Sequence, residues 1–373
     1  MDFIKPKKIG SKSEPQNESP KEGKIEEKNE DKSCLLDRAP IHRDSSGPLT
    51  ASEMGKLWAA YMGNSMSTCI LKYFLQHVED EDIKQLVEDA LQLSTDFVAS
   101  VGEIFKKENF PIPIGFSDQD VNLDAPRLFE DEFYVHYLKY AAKAGLSIYH
   151  IAIPLLFRKD ITEFFIYSME ATTILVEKVK NILMKKKLII KPPVIPVPEK
   201  AVYVHKDFLN GYLGKVRPLH ALEITHLYDN IENNVTSKAL ILGFCQVAES
   251  KKVRELFIKG KVLTQKSVER YIGELHKASL PTPQPLDHLV KLSTVPPFSD
   301  KLMLFHKMDM FSMKLRAFGN SIAVNGRHDI GLMYGKSLMD ISIFVEEAAR
   351  IMLDNGWFEQ PPLAVDREHL KTE

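Results

Sequence analysis

The chain has 373 residues, in which 49 Lys and Arg nearly balance 51 Asp and Glu, for a formal net charge of −2. Apolar residues make up 44% and charged residues 27%, which suits a chain with one or more buried cores. No surplus of Lys and Arg is present to neutralise phosphates, and this removes the general electrostatic argument for a nucleic-acid-binding protein. At about 100–200 residues per domain, the length predicts two or three domains.

The three cysteines, Cys34, Cys69 and Cys245, lie far apart. They predict neither a disulfide framework nor a Cys-rich zinc module. The first residues lack the apolar segment of a secretory signal, and no run approaches 18 apolar residues, so no transmembrane segment is expected. These features favour a reducing compartment, with the cytoplasm as the expected location.

Residues 1–48 differ in composition from the remainder of the chain. They are dominated by Lys, Glu, Ser, Asn and Pro, and too few apolar residues are present to offset the entropy of ordering the backbone. They therefore predict a disordered charged arm, in which interspersed acids and bases argue against a purely basic nucleic-acid-binding arm. Its one apolar cluster, residues 34–36, either docks on a partner or marks the edge of the folded region, and we favour the second interpretation.

The rest of the chain contains an internal repeat. Residues 48–53 (PLTASE) recur as 218–223 (PLHALE) at an offset of 170, which becomes 169 where 158–161 (RKDI) match 327–330 (RHDI). Matches that keep their order over both halves predict two copies of one domain, at 49–187 and 219–373, joined by a linker at 188–218. Further matches are Leu57-Trp58 with Leu227-Tyr228, Asn64 with Asn234, Pro111 and Pro113 with Pro281 and Pro283, and Pro192-Pro193 with Pro361-Pro362.

Apolar residues recur at helical spacing in each copy and predict four helices, with little sign of strands. Thr50 with Glu53, and Asp160 with Glu163, have the spacing of a capping box and predict the starts of the first and fourth helices. The predicted helices of the two copies lie at about 50–78, 80–109, 131–157 and from 160 onward, and at about 220–248, 251–278, 300–325 and 329–355.

Loop lengths predict how these helices are connected. Short loops join the first helix to the second and the third to the fourth, so each pair forms an antiparallel hairpin. Residues 110–130 form a 21-residue connector that can reach ~70 Å, which exceeds the ~40 Å length of a 27-residue helix. The order short, long, short is typical of a ferritin-like bundle. The predicted fold is all-α: two tandem ferritin-like four-helix bundles, each with one long crossover between helices two and three.

The linker contains the run KPPVIPVP at residues 191–198. Its prolines hold the backbone extended and stiff. Its apolar side chains predict that it packs across a bundle and fixes the two domains.

Several motifs of this sequence resemble the DUF3231 family of spore-forming bacteria. They are the PLxAxE openings at 48–53 and 218–223, EITHL at 223–227, PFSDKLM at 297–303 and NGWFEQPP at 355–362. The resemblance covers about residues 49–370 and leaves out the arm. It implies tandem ferritin-like bundles and, by association, a role in the forespore or spore coat. The family brings no established activity.

Ferritin-like bundles often bind two metal ions through Glu side chains and Glu-x-x-His pairs. In the first copy, the Glu residues of helices two and four have no His three residues later. The stripe formed by Glu163, Glu170 and Glu177 is better interpreted as a solvated face.

The second copy offers two pairs with i, i+3 spacing, Glu223 with His226 and His306 with Asp309. These four residues are the candidate ligands for a metal such as iron, manganese or zinc. One pair supplies only two of the four or more ligands that a site needs. Helix capping by Glu223 and a hydrogen-bonded core His306 are therefore favoured, and no cofactor is expected.

Other polar residues that recur in both copies also have structural explanations. Asn64 and Asn234 lie on core-facing stripes, where an amide needs hydrogen-bond partners and can fix helix register. Arg158 and Asp160 recur 169 residues later at the turn into the fourth helix. Asp as N-cap, with Arg bridging to the crossover, explains that pair.

No P-loop, dinucleotide-binding, nucleophile-elbow or His-Glu-x-x-His motif is present. The favoured hypothesis is a non-catalytic structural or interaction protein of the spore coat type, whose partners are other proteins or further copies of itself. The alternative is a metal-binding or redox ferritin-like protein with a degenerate site in the second copy.

Overall fold

The computed structural model describes residues 47–367. The arm predicted at 1–48, with Cys34, therefore lies almost wholly outside the described residues. Within them the protein is all-helical, without a β-strand. The helices are α1 Ala51–His77, α2 Glu81–Lys107, α3 Asp131–Ala152, α4 Lys159–Lys185, α5 Ala221–Val247, α6 Lys251–Lys277, α7 Asp300–Val324 and α8 His328–Asp354.

The helices confirm the repeat read from the sequence. Helices α5 and α6 begin and end 170 residues after α1 and α2, and α8 lies 169 residues after α4. Within each copy the first and second helices pack together, as do the third and fourth. The crossovers at 108–130 and 278–299 separate these hairpins. Two four-helix bundles with one long crossover each are thus present.

The first helix of each copy begins with a capping box, as predicted for Thr50 and Glu53. The predicted capping box at Asp160 is wrong. Helix α4 begins at Lys159, its N-cap is Arg158, and no side chain of its own caps it. The Glu53 carboxylate accepts the N–H groups of Phe157 and Arg158 instead, at 3.0 and 2.8 Å. Packing of α1 against the start of α4 thus supplies the acceptor from elsewhere in the chain.

Arg158 makes the bridge to the crossover that its sequence position predicts. Its guanidinium donates to Glu108, the residue that follows α2, at 2.7 Å. It also donates to Asp160 in two hydrogen bonds. Asp160 is therefore an ion-pair partner within α4 and not its N-cap.

The two crossovers pair with each other. Isolated antiparallel bridges join Val121 to Phe298 and Phe129 to Val290. At the 169-residue offset, Val121 corresponds to Val290 and Phe129 corresponds to Phe298. Exchange of the two copies therefore converts one bridge into the other. The bundles are therefore related by a local twofold axis, like the subunits of an isologous dimer.

The apolar core continues from one bundle into the other. The ring of Phe298 lies 5.1 Å from Tyr73 of the first copy and 6.2 Å from Phe244 of the second. In addition, α3 contacts α5 and α1 contacts α7. The junction is thus part of the core.

The linker follows its predicted course at its two ends and departs from it in the middle. Leu188 is buried, and its carbonyl accepts from Gln284 of the second crossover. Further on the apolar side chains are exposed, by 95% at Val194 and 97% at Tyr203. The prediction that this segment packs across a bundle is therefore wrong for the middle of the linker. The prolines of 192–198 lack amide donors and keep the backbone extended there. Contacts with the second bundle resume at Phe208, which lies against Gly326, and at Gly211, which lies against Asp329.

Candidate functional site

Glu223, a predicted metal ligand, has a helix-joining role, because its hydrogen bonds join α5 to the start of α8. It is 2% exposed, and its carboxylate accepts from the Arg217 guanidinium at 2.8 Å and from the amide of His220 at 3.1 Å. It also accepts the amides of Gly326 and Arg327, where α8 begins. Burial alone would raise the pKa of Glu223, but these hydrogen bonds lower it below its usual value. Both carboxylate oxygens are engaged.

His226 lies one turn further along α5 and is partly exposed. Burial lowers its pKa, while nearby Asp229 opposes that shift. Among residues 47–367, no three His, Cys, Asp or Glu side chains are grouped so that they could hold a metal ion. A metal role for Glu223 with His226 thus stays a prediction.

His306, from the other predicted pair, lies at the junction of the bundles. It is 3% exposed, and its Nε2 lies 2.8 Å from the hydroxyl of Tyr137 on α3. Burial lowers its pKa to about 3, so the imidazole is neutral near pH 7. Asp309, one turn along α7, is partly accessible and has no hydrogen-bond donor among the described residues. A metal role for this pair also stays a prediction.

His306 and Asp309 line a cavity of about 210 Å³ that extends into the first bundle. Helices α1, α2, α3 and α4 form most of its wall, and α7 of the second copy closes it at the junction. The wall is mostly apolar, with polar atoms supplied by Asn64, Ser94 and Thr172 as well as the α7 pair. Ala59 also lines the cavity and is exposed, so the cavity reaches the surface along α1.

The cavity exists because α3 carries small residues where α7 carries large ones. At the 169-residue offset, the segment 141–145 (AAKAG) corresponds to 310–314 (MFSMK). Ala142, Ala144 and Gly145 line the cavity. Their counterparts Phe311, Met313 and Lys314 are large and buried.

The core of the first bundle is divided at this cavity. Two separate apolar clusters lie in this bundle, one of them containing Phe97 and Tyr149 and the other Met66 and Ala142. Residues of both clusters line the cavity. In the second bundle every buried apolar residue except Tyr228 belongs to one continuous cluster. The first copy thus lacks packing that the second copy has.

Two buried lysines occupy the middle of the second bundle. The Nζ atom of Lys314 lies 2.9 Å from Oδ1 of Asn234, and that of Lys307 lies 2.6 Å from Oγ of Ser237. Both Nζ atoms face the ring of Phe311, at 4.5 and 4.8 Å from its centroid. Burial lowers the pKa of Lys307 to about 7 and that of Lys314 well below its usual value.

Asn234 is the buried polar residue that the repeat predicted on the core stripe, with Lys314 as its partner. Its counterpart Asn64 is only partly buried and lines the cavity. Gly145 occupies the position that corresponds to Lys314, so no side chain at this position donates to Asn64. Asn64 is instead a neighbour of Tyr149, whose pKa burial raises to about 12.

The two halves of the junction have also diverged. Where α3 meets α5, Lys139 pairs with Glu232 at 2.6 Å and Lys143 pairs with Asp229. The corresponding positions carry Met308 and Ser312 on α7 and Met62 and Ala59 on α1. The two α1 residues line the cavity. One half is thus held by ion pairs, and the other has no charge at these positions.

Sequence reasoning missed the cavity and the buried lysines. Alignment of the two repeats would have predicted the cavity. The segment AAKAG of the first copy aligns with MFSMK of the second, and its side chains have much less volume at core positions. Reading each copy alone conceals it, since alanine and methionine both suit a helix.

Comparison with known proteins places this architecture in a family. The model of the family described as "Protein of unknown function (DUF3231)" matches residues 43–201 and again 207–370. The chain therefore belongs to this family, as its motifs indicated. No curated protein matches it.

The chain is also similar to a solved structure, that of a "putative spore coat protein" from Bacillus halodurans C-125. The identity is 18% and the TM-score 0.37, over 40% of this chain and 98% of the other. Among the described residues, no helix is both long and apolar enough to cross a bilayer.

Proposed function

We propose that this protein is a non-catalytic structural or interaction protein of the spore coat type. Its partners are other proteins or further copies of itself, and it needs no nucleic acid. Its location is cytoplasmic, in the forespore or the spore coat. The coat assignment extends the resemblance that the sequence motifs carry.

The observation that supports a non-catalytic role most directly is the use of Glu53 and Glu223. These two residues stand at equivalent positions, and both bind the amides at the start of the fourth helix of their own bundle. The middle of the second bundle, where ferritin-like bundles hold their metal ions, is filled by Lys307, Phe311 and Lys314. The polar groups of the second bundle thus serve its packing.

A fluorescent fusion of the full chain, followed through sporulation of a strain that carries the gene, tests the location. Concentration in a shell around the forespore supports the coat role. An even distribution in the mother cell at every stage contradicts it.

Elemental analysis of protein purified without chelator tests the metal alternative. We expect no stoichiometric iron, manganese or zinc. One metal ion per chain that is lost in His226→Ala or in Asp309→Asn would support the alternative. These substitutions are preferable to Glu223→Ala, which also removes the contacts between α5 and α8.

A further inference from the structure

We propose that the cavity of the first bundle binds a small, largely apolar molecule that carries an amine, with Asp309 as the acceptor for that amine. This binding function goes beyond the structural role proposed above and does not depend on it.

The size of the cavity sets the size of the ligand. An apolar protein cavity of ~150 Å³ accepts benzene. The cavity here is larger, at about 210 Å³. It therefore has room for one aromatic ring, or an aliphatic body of similar size, with a short polar substituent.

The second bundle serves as an internal comparison for this site. The same ancestral core is filled there by Phe311, Met313 and Lys314. A void in a core lowers stability in proportion to its volume. A ligand that occupies the void restores the missing contacts, and its binding offsets the loss of stability.

The polar groups of the wall determine the chemistry of the ligand. Asp309 lines the cavity, and no described residue donates a hydrogen bond to its carboxylate. The positive charge that acts on Asp309 is that of Arg316, whose Nε and Nη2 atoms are buried without a hydrogen-bond partner among the described residues. Burial still raises the pKa of Asp309 despite that guanidinium. The carboxylate thus lacks a donor, and an ammonium group supplies both the donor and the charge.

The other polar atoms near Asp309 leave it as the main anchor. The hydroxyl of Tyr137 is engaged with His306, and that of Tyr140 donates to the carbonyl of Met310 at 2.8 Å. His306 is neutral near pH 7 because burial lowers its pKa. Of these side chains, Asp309 is the one carboxyl group, and an ammonium ligand beside it favours its ionised form.

Binding is measured on the full chain with 2-phenylethylamine, and with ethylbenzene as the probe that lacks the amine. The chain has two tryptophans, and Trp58 lines the cavity. In a Trp357→Phe background, the fluorescence of Trp58 reports occupancy, and calorimetry gives the stoichiometry. We expect saturable binding of one 2-phenylethylamine per chain and weaker binding of ethylbenzene.

Three variants separate the parts of the proposal. Asp309→Asn should weaken the binding of 2-phenylethylamine at least tenfold and leave the binding of ethylbenzene unchanged. Ala144→Met and Ala142→Phe, which copy the second bundle, should abolish both. Asp354→Asn, an exposed site with the same change of charge, is the control and should change neither.

Three results would overturn the proposal. The first is the absence of saturable binding of 2-phenylethylamine. The second is binding that survives both filling variants. The third is equal affinity for the two probes in the wild type, which would remove Asp309 from the site. Ala144→Met is the smaller change and keeps the test valid if Ala142→Phe does not fold.

Discussion

The side chains of Tyr137 and His306 meet at the junction of the bundles, with the hydroxyl and Nε2 2.8 Å apart. The two residues are counterparts at the 169-residue offset. Counterparts that touch each other must lie close to the axis that exchanges the copies. This pair therefore marks the centre of the junction, where a phenol and an imidazole have replaced what was once one residue type.

Tyr137→Phe should lower the free energy of unfolding by about 1–3 kcal/mol, because it leaves Nε2 of His306 buried without a partner. Denaturant titration near pH 7 measures the change. Tyr167→Phe removes an exposed hydroxyl and should change stability by less than about 0.5 kcal/mol. Equal effects of the two substitutions would show that the hydrogen bond contributes nothing.

Acid should destabilise the protein partly through His306. Its pKa is about 3 in the folded protein, against an ordinary value of 6.5. Between these values the unfolded chain binds a proton that the folded chain does not, so the free energy of unfolding falls as pH drops from 6.5 toward 3. In His306→Leu, the dependence on pH should be shallower over this range, whereas exposed His150→Leu should leave it unchanged. Parallel curves for wild type and His306→Leu would contradict the assignment.

Lys307→Met should stabilise the protein near pH 7. Burial lowers the pKa of Lys307 to about 7, so between pH 7 and 10.5 the unfolded chain binds the extra proton and stability rises with pH. Methionine removes this penalty, and the gain should be on the order of 1–3 kcal/mol at pH 7, shrinking toward pH 10. Exposed Lys336→Met should show no such dependence on pH. A loss of stability in Lys307→Met at both pH values would show that the contact with Ser237 outweighs the cost of burial.

Glu53→Gln and Glu223→Gln should each lower the free energy of unfolding by about 2 kcal/mol or more, since each carboxylate accepts several charge-assisted hydrogen bonds. Hydrogen bonds hold the pKa of both residues below the usual value despite burial. Their contribution is therefore present above pH 4.5 and lost as pH falls below it. Glu163→Gln, on the exposed face of α4, is the matched control. A destabilisation no larger than that of the control would exclude the helix-joining role.

Gly115→Ala should destabilise the first crossover. Gly115 has φ of +58°, and a Cβ there would lie 2.7 Å from Oγ of Ser65. Its amide also donates to Glu359 of the C-terminal segment at 2.9 Å. We expect a loss of about 1–3 kcal/mol from backbone strain and the close contact. Gly102→Ala, in open space within α2, should instead stabilise by up to about 1 kcal/mol. A gain in both variants would contradict the prediction.

The helices and their order follow from local features of the sequence. Apolar spacing, the Thr50–Glu53 capping box and the length of the segment at 110–130 each act within a short stretch of chain. The repeat then transfers every element of the first copy to the second. The capping box predicted at Asp160 from local sequence was wrong. Glu53, over 100 residues away, supplies the acceptor for the first amides of α4.

The functional candidates depended on distant contacts. His306 and Asp309 were selected for their spacing on one helix, yet their neighbours Tyr137 and the cavity wall belong to the other copy. The spacing of Glu223 and His226 suggested ligands, whereas Arg217 and the start of α8 occupy the carboxylate. No pattern along one helix shows which groups it will meet.

The sequence by itself determined eight helices, two copies and one long crossover in each, because hydrogen bonds within a helix and apolar periodicity are properties of neighbouring residues. The tertiary structure alone decided that the copies pair about a local twofold axis and that α7 closes a cavity in the first bundle. It also decided that Lys307 and Lys314 are fully buried in the second bundle. Burial and pairing depend on the atoms that surround a side chain, and those atoms come together only when distant segments pack.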